Sequence, residues 1–232
     1  MSQNSGQRRA GFTIIELMLA MSFVAALLVA VALTTIQVSG IYNKGITLRE
    51  VNQVGRSVSD DLQRTLGGAT PFALDSDHYV IPATPVPDRG KLCTGQYSYV
   101  WNIGTGTGYT YTDGANFSLI KIKDSSESIC AASSPPITRF DKNNATELLA
   151  SGEENGNRLL SLHKFSISTQ QDAANNQALY TITMLIGTND TAQLTSTADS
   201  CRPPSDGAGY EDFCAVNQFN FVVRSGNKSG EN

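Results

Sequence analysis

Between Glu16 and Lys44 the chain carries no charged residue, and residues 17–33 are interrupted only by Ser22. No other feature constrains the fold as strongly. A hydrocarbon layer of ~30 Å is crossed by about 20 apolar helical residues, so this stretch can span a membrane. Arg8 and Arg9 precede it, with no acid among residues 1–11, and such a basic flank keeps the N-terminus on the cytoplasmic side. Twenty of the 25 residues 12–36 are hydrophobic, against 40% of the whole chain. The remainder is therefore a polar body, rich in Ser, Thr, Asn and Gly. That imbalance excludes a plain cytosolic globule and a polytopic membrane protein. A cleaved signal peptide and an uncleaved signal anchor both fit so far; a buried core helix fits poorly, given the basic flank and the length.

Glu16 separates these readings from a sharper one. A carboxylate inside a membrane span costs on the order of 2.5–3.5 kcal/mol even on permissive scales, less near the interface, so it usually has a partner and a role. In a secretory signal it would only hinder export. The run Gly11-Phe12-Thr13-Ile14-Ile15-Glu16, preceded by Arg8-Arg9, resembles the processing site of type IV prepilins. It has the short basic leader ending in Gly, then Phe, then Glu at the fifth mature position, then an unbroken apolar helix. The resemblance implies that a prepilin peptidase cuts between Gly11 and Phe12 and N-methylates Phe12, and that the apolar helix is retained. It also implies that Glu16 pairs with the N-terminal amine of a neighbouring subunit as helices bundle into a filament. A buried carboxylate needs a cation, and a slipped neighbour leaves both charges unpaired. Many major pilins carry a Pro inside this helix, whereas the first Pro here is Pro71; that departure points towards minor pilins and pseudopilins.

Beyond Ser39 the pattern becomes one-sided. At ~100° per residue Leu48, Val51, Gly55, Val58, Leu62 and Leu66 share one stripe. Arg49, Glu50, Arg56, Asp60, Asp61 and Arg64 fall opposite, on what reads as a solvated face. Arg56–Asp60 and Asp60–Arg64 stand at i,i+4 spacing, worth a few tenths of a kcal/mol each. Gly67-Gly68 and Pro71 end the helix. A helix over residues 12–66 is ~80 Å long, locally weakened by Gly40, Gly45 and Gly55, with a bend expected at 40–45. Residues 54–66 loosely resemble the matching stretch of PilW/PulJ-type minor pilins.

After Pro71 the chain reads as strands and polar turns. Residues 96–103 alternate, with Tyr97, Tyr99, Trp101 and Ile103 on one face. Residues 104–114 read as a hairpin connection or an exposed loop, 117–123 as a strand and 141–150 as a short helix. Residues 158–169 and 178–188 read as a strand pair joined by the polar run 170–177, and 215–224 as the last strand before a polar tail. The expected fold class is α+β: a long N-terminal helix, membrane-spanning then amphipathic, packed on an antiparallel β-sheet head. The expected segments are leader 1–11, membrane or filament-core helix 12–39, amphipathic helix 40–66 and disulfide-containing head 67–232.

Cys93, Cys130, Cys201 and Cys214 all lie in the body, an even number that allows three pairings and suits an exported domain. Pilins commonly carry a disulfide-bounded C-terminal loop. The resemblance therefore implies Cys201–Cys214, and with it Cys93–Cys130. Closing the C-terminal loop would remove roughly 3 kcal/mol of unfolded-state entropy.

No catalytic constellation emerges. The two histidines, His78 and His163, have no serine, cysteine or metal partners at usable spacing. The Gly104-Thr105-Gly106-Thr107-Gly108 run lacks the Lys-Ser/Thr end of a P-loop. Asp199, Asp206, Glu211 and Asp212 read as solvated acids rather than a calcium site, and Tyr109 and Tyr111 either contact a ligand or fill the sheet face. No enzyme, metal or cofactor is expected. The formal charge is −4, and loss of Arg8 and Arg9 would take it to −6, which disfavours direct nucleic-acid binding. What the resemblance implies is a structural minor pilin or pseudopilin of a type IV pilus or type II secretion-like filament. Its partners would be other pilins, prepilin peptidase and an inner-membrane assembly platform. It would sit in the cytoplasmic membrane, N-terminus inside, before entering an extracellular or periplasmic filament. The rival is a signal-anchored extracellular binding domain.

Overall fold

The structure, a computed structural model, describes residues 13–82, 88–131, 136–149, 159–172, 174–203 and 213–226. The chain divides into two compact units, Met1–Asn43 and Lys44–Asn232. Helix α1 (Ile14–Gly68) supplies all the described regular structure of the first unit and opens the second. Its first half is built of Leu, Ala, Met and Val with no Gly before Gly40, so nothing locally opposes helix. Helical hydrogen bonding continues through Gly40 and Gly45 and stops at Gly68, where Ala69 N bonds back to Leu66 O at 3.2 Å.

In the second unit, the amphipathic stripe is where the helix is buried: Val51, Val58, Leu62 and Leu66 are at most 1% exposed. Leu48, placed on the same stripe by its angle, is 45% exposed instead. The side assigned to solvent is not uniformly solvated, because Asp61 takes part in a polar cluster with buried Tyr99. Neither expected i,i+4 pair appears among the ion pairs of the described residues.

The strands form three groups. Five of them, β1 (Tyr79–Val80), β2 (Arg89–Cys93), β3 (Tyr97–Asn102), β5 (Leu119–Lys123) and β7 (Ala145–Leu149), make an antiparallel sheet in the order β1-β2-β3-β5-β7. The longer β8 (Leu160–Asp172), β9 (Gln177–Thr188) and β10 (Val216–Ser225) make a second antiparallel sheet in the order β10-β9-β8. The short β4 (Thr110–Tyr111) and β6 (Arg139–Phe140) pair in parallel. One long helix followed by mainly antiparallel sheets is the α+β arrangement expected.

Both faces of the five-stranded sheet are covered. Leu92, Tyr99, Trp101 and Leu119 join the helix stripe and Phe165, Tyr180, Ile182 and Met184 of the second sheet in the main core. Cys93, Val100, Ile120 and Ile122 point the other way, into a second core with Tyr109, Tyr111, Phe117 and Phe140. Tyr99 and Trp101 therefore share a face, as their alternation predicts. Trp101 lies 4.3 Å from Phe165 between ring centroids, and Tyr180 OH both donates to Phe72 O and accepts from Phe72 N at 2.8 Å. That clamp fixes the chain just after the helix.

Three expectations need correction. The helix expected over 141–150 is not formed by the described residues 141–149: a single 3₁₀ turn (Lys142–Asn144), capped by Asp141, leads straight into β7. Ala145, Glu147, Leu148 and Leu149 are good helix formers, but pairing with β5 overrides that preference. The connection 104–114 is not simply exposed. Asn102, fully buried, donates its amide to Tyr109 O and Phe117 O and accepts from Tyr109 N. Tyr109 and Tyr111 are thereby held in the second core at 4% and 2% exposure. Finally, the polar run 170–177 is not all connection: β8 continues to Asp172, residues 174–176 turn, and β9 starts at Gln177.

Candidate assembly interface

Glu16 lies in the first turn of α1 and already has an intrachain partner. Thr13 N and Thr13 Oγ1 both donate to Glu16 Oε2, at 3.1 and 2.9 Å, while Glu16 N donates to Thr13 Oγ1 at 3.3 Å. This reciprocal arrangement is a capping box, which satisfies amides that a helix start otherwise leaves orphaned. The Thr-x-x-Glu spacing of Thr13 and Glu16 is its sequence signal. Among the described residues, both bonds accepted by the carboxylate fall on Oε2.

The surface that follows is apolar all round. Seventeen large hydrophobic side chains from Ile14 to Tyr42 are at least half exposed, among them Ile14 at 78%, Phe23 at 67% and Ile41 at 74%. Leaving these in water would forfeit on the order of 20 kcal/mol of burial, far more than a folded domain's usual net stability. Three of the hydroxyls among them are turned inward: Ser22 Oγ donates to Leu19 O at 2.9 Å, and Thr34 and Thr35 Oγ1 donate to Val31 O at 2.9 and 2.8 Å. A segment that meets its Ser22, Thr34 and Thr35 hydroxyls with its own backbone suits an environment without water. It is a candidate membrane anchor by length and composition.

In the second unit the cysteines form Cys93–Cys130 and Cys201–Cys214, with Cα separations of 6.2 and 5.9 Å. The first is reinforced by Asp124, whose carboxylate accepts from Ser98 Oγ, Ser128 N, Ser128 Oγ and Ile129 N between 2.9 and 3.1 Å. Burial raises the Asp124 carboxyl, but these bonds outweigh it and hold it below the ordinary carboxylate range. Lys91, 4% exposed, sends its ammonium to Ile129 O and Ile137 O at 3.0 and 2.8 Å and over the rings of Tyr109 and Phe140. Burial, and then the charge of Arg89, push it down to about 8.

The cluster around Asp61 joins helix to sheet. Tyr99 OH reaches Asp61 Oδ2 at 2.8 Å and Thr65 Oγ1 at 2.7 Å, and Lys121 Nζ reaches Asp61 Oδ1 at 2.8 Å and Thr65 Oγ1 at 2.9 Å. Every strong donor here has an acceptor, so the cluster reads as packing polarity rather than a reactive centre. His78 stacks on Phe72 and hydrogen-bonds Asp75 at 2.8 Å. His163 is buried at the β8 bulge, with Nε2 3.0 Å from Thr188 O; burial lowers its pKa. Asp199 accepts from Thr195 Oγ1 and Ser200 Oγ. Among the described residues no three His, Cys, Asp or Glu side chains are grouped to hold a metal.

Arg8, Arg9, Gly11 and Phe12 lie outside the described residues, as do Asp206, Glu211 and Asp212. Glu16 and the four cysteines are placed as given above, at separate locations. Sequence reasoning missed Lys91, Asn102 and Asp124, the buried polar residues that organise the second core; periodicity carries no signal for them. No family model, curated protein or solved structure matches the chain.

Proposed function

We propose that this chain is a structural minor pilin or pseudopilin. It is cut by prepilin peptidase between Gly11 and Phe12, N-methylated on Phe12, held in the cytoplasmic membrane with its N-terminus inside, and then drawn with other pilins through an assembly platform into a type IV pilus or secretion-like filament. One observation carries this: a charge-free helical surface, exposed on every side, with a single carboxylate at its mouth directly after an Arg-Arg…Gly-Phe leader. Seventeen exposed apolar side chains need either lipid or one another. A bundle of such helices supplies the second, and the Phe12 amine of a neighbour supplies the cation for Glu16. The described bonds of the capping box use Oε2, so the amine would be met at Oε1.

The capping box also favours a second reading. It gives Glu16 a local reason to exist, so a signal-anchored extracellular domain with no filament remains a specific rival. Glu16→Gln separates the two. Glutamine keeps an acceptor for Thr13 N–H, and so keeps the cap, but removes the charge. The filament role predicts a variant that is processed normally and nearly absent from sheared filaments, as with Glu16→Val. Normal entry of Glu16→Gln into filaments would remove the salt-bridge role.

A further inference from the structure

The β8–β9 ladder breaks at one residue. Leu162 pairs with Ile186 and Lys164 with Leu185, and His163 stands between them as an extra residue of β8. Bulges of this kind re-aim a side chain, and this imidazole is only 8% exposed. Its Nε2 lies 3.0 Å from Thr188 O. A carbonyl only accepts, so Nε2 carries the proton and Nδ1 is the bare nitrogen of a neutral ring. Nδ1 is buried and has no hydrogen-bond partner among the described residues.

Thr188 is a joint between several elements. Its N donates to Ala215 O at 2.9 Å, its Oγ1 accepts from Ala215 N at 3.4 Å, and the next amide, Asn189 N, donates to Leu159 O at 3.0 Å. Cys214, adjacent to Ala215, closes the loop to Cys201. On the other side of the bulge, Leu162 N donates to Ser118 Oγ at 3.0 Å and Gly104 N to Leu162 O at 2.8 Å. One neutral ring therefore sits where the first residues of β8, the end of β9, the base of the C-terminal loop and the five-stranded sheet are tied together.

No charge is placed to receive a proton there. Among the described residues, the charged groups on the surrounding elements are Lys164 of β8, Glu147 of β7, Asp190, Asp199 and Arg202 after β9, and the Asp88–Arg89 pair leading β2. Lys164 is exposed, Asp190 accepts from Ala192 N and Gln193 Nε2, Asp199 from Thr195 and Ser200, and Arg202 donates to Leu194 O. The described influences on the ring are burial, which lowers its pKa, and the Thr188 carbonyl, which raises it.

We propose that His163 is an acid-sensitive latch: protonation of Nδ1 puts an unpaired cation into this buried joint and opens it locally, freeing the base of the Cys201–Cys214 loop while the helix stripe and the middle of β9 stay folded. A buried cation without an acceptor is costly. The closed joint thus disfavours the charged ring, and an opened, hydrated joint takes the proton first. Stability of the joint is complete above the ordinary histidine value of about 6.5 and is lost as pH falls below it. The latch acts within one chain, so it stands or falls apart from the filament assignment.

Amide hydrogen exchange of the full-length protein in detergent, corrected for the intrinsic pH dependence of exchange, reads this opening. From pH 7.5 to 5.0, exchange at Leu162, Thr188, Asn189 and Ala215 should rise by up to about 30-fold, tenfold for each of the ~1.5 units below 6.5. Tyr180 and Ile182 in mid-β9 should not follow. His163→Gln, whose amide keeps a donor for Thr188 O and takes up no proton, should abolish the rise. A rise below about threefold, an equal rise in His163→Gln, or the same rise at Tyr180 and Ile182 would overturn the latch. Should His163→Gln fail to fold, the native chain still decides through its imidazole nitrogen signals. At pH 6.5, where an ordinary histidine is about half charged, His163 should be mainly the neutral Nε2–H tautomer; a half-charged ring in the folded protein would equally overturn it.

Discussion

Asp61→Ala should destabilise the folded body by about 2 kcal/mol, although Asp61 occupies a helix face that the charge pattern assigns to water. Asp61 accepts from Lys121 Nζ and from Tyr99 OH, both at 2.8 Å; Tyr99 is fully buried and the Lys121 side chain is 15% exposed. A hydrogen bond to a charged group contributes about 1.5–3 kcal/mol. The low end applies here, because the Asp61 side chain is 31% exposed. Thr65 Oγ1 remains as an acceptor for both donors, and Ala gains about 0.5 kcal/mol in helix propensity. For a chain of this size 2 kcal/mol lowers Tm by about 4–8 °C. Trp101, the only tryptophan, is 2% exposed and reports unfolding by fluorescence of the full-length protein in detergent. A loss under about 0.5 kcal/mol, typical of a solvated surface position, would refute the assignment. A cycle with Tyr99→Phe should show a coupling of about 1 kcal/mol; additivity within about 0.5 kcal/mol would say the two side chains do not interact.

Lys91 makes stability depend on pH in an unusual direction. Its folded pKa of about 8 lies below the ordinary 10.5, so between these values the unfolded chain holds the proton that the folded chain has shed, and stability rises with pH by up to ~1.4 kcal/mol per unit. The clean window is pH 8 to 10, because buried Tyr99, Tyr109 and Tyr180, whose pKa values burial raises, oppose it above pH 10. Denaturant midpoints should increase from pH 7.5 to 9.5 in the native chain and stay flat in Lys91→Met; a rise that survives the substitution would assign it elsewhere. At Gly55 an added Cβ would overlap the Phe219 ring. Gly55→Ala should therefore lose about 1–2 kcal/mol through overpacking despite better helix propensity, with part recovered by Phe219→Leu, whereas a gain of ~1 kcal/mol would show that the ring simply swings aside.

The elements that sequence made legible are mainly those whose burial is one-sided. The stripe Val51–Val58–Leu62–Leu66 and the long strands β8, β9 and β10 each have a period that a single covered face imposes, while β3 was legible from its alternate aromatics although both its faces are covered. What stayed hidden lacks such a period. β2 reads Arg-Gly-Lys-Leu-Cys because both its faces are covered and its lysine is hydrogen-bonded by carbonyls rather than paired with carboxylates. Gly90 is needed there because the Trp101 ring lies where a Cβ would be. The burial of Tyr109 and Tyr111 depends on the Asn102 amide, a contact set by tertiary structure alone. At the N-terminus, Glu16 was legible as an anomaly, and its capping partner Thr13 was present in the spacing. What the spacing of charges cannot reveal is that Asp61 meets a tyrosine and a lysine from two other strands.

The most direct test is the mature N-terminus. Intact-mass and N-terminal peptide measurement on the protein recovered from membranes should find residues 1–11 gone and a methyl group on the Phe12 amine, with residues 12–39 retained. A chain that still begins at Met1, or one cut near Ala32, would contradict the proposal that the apolar helix is a processed filament-forming element.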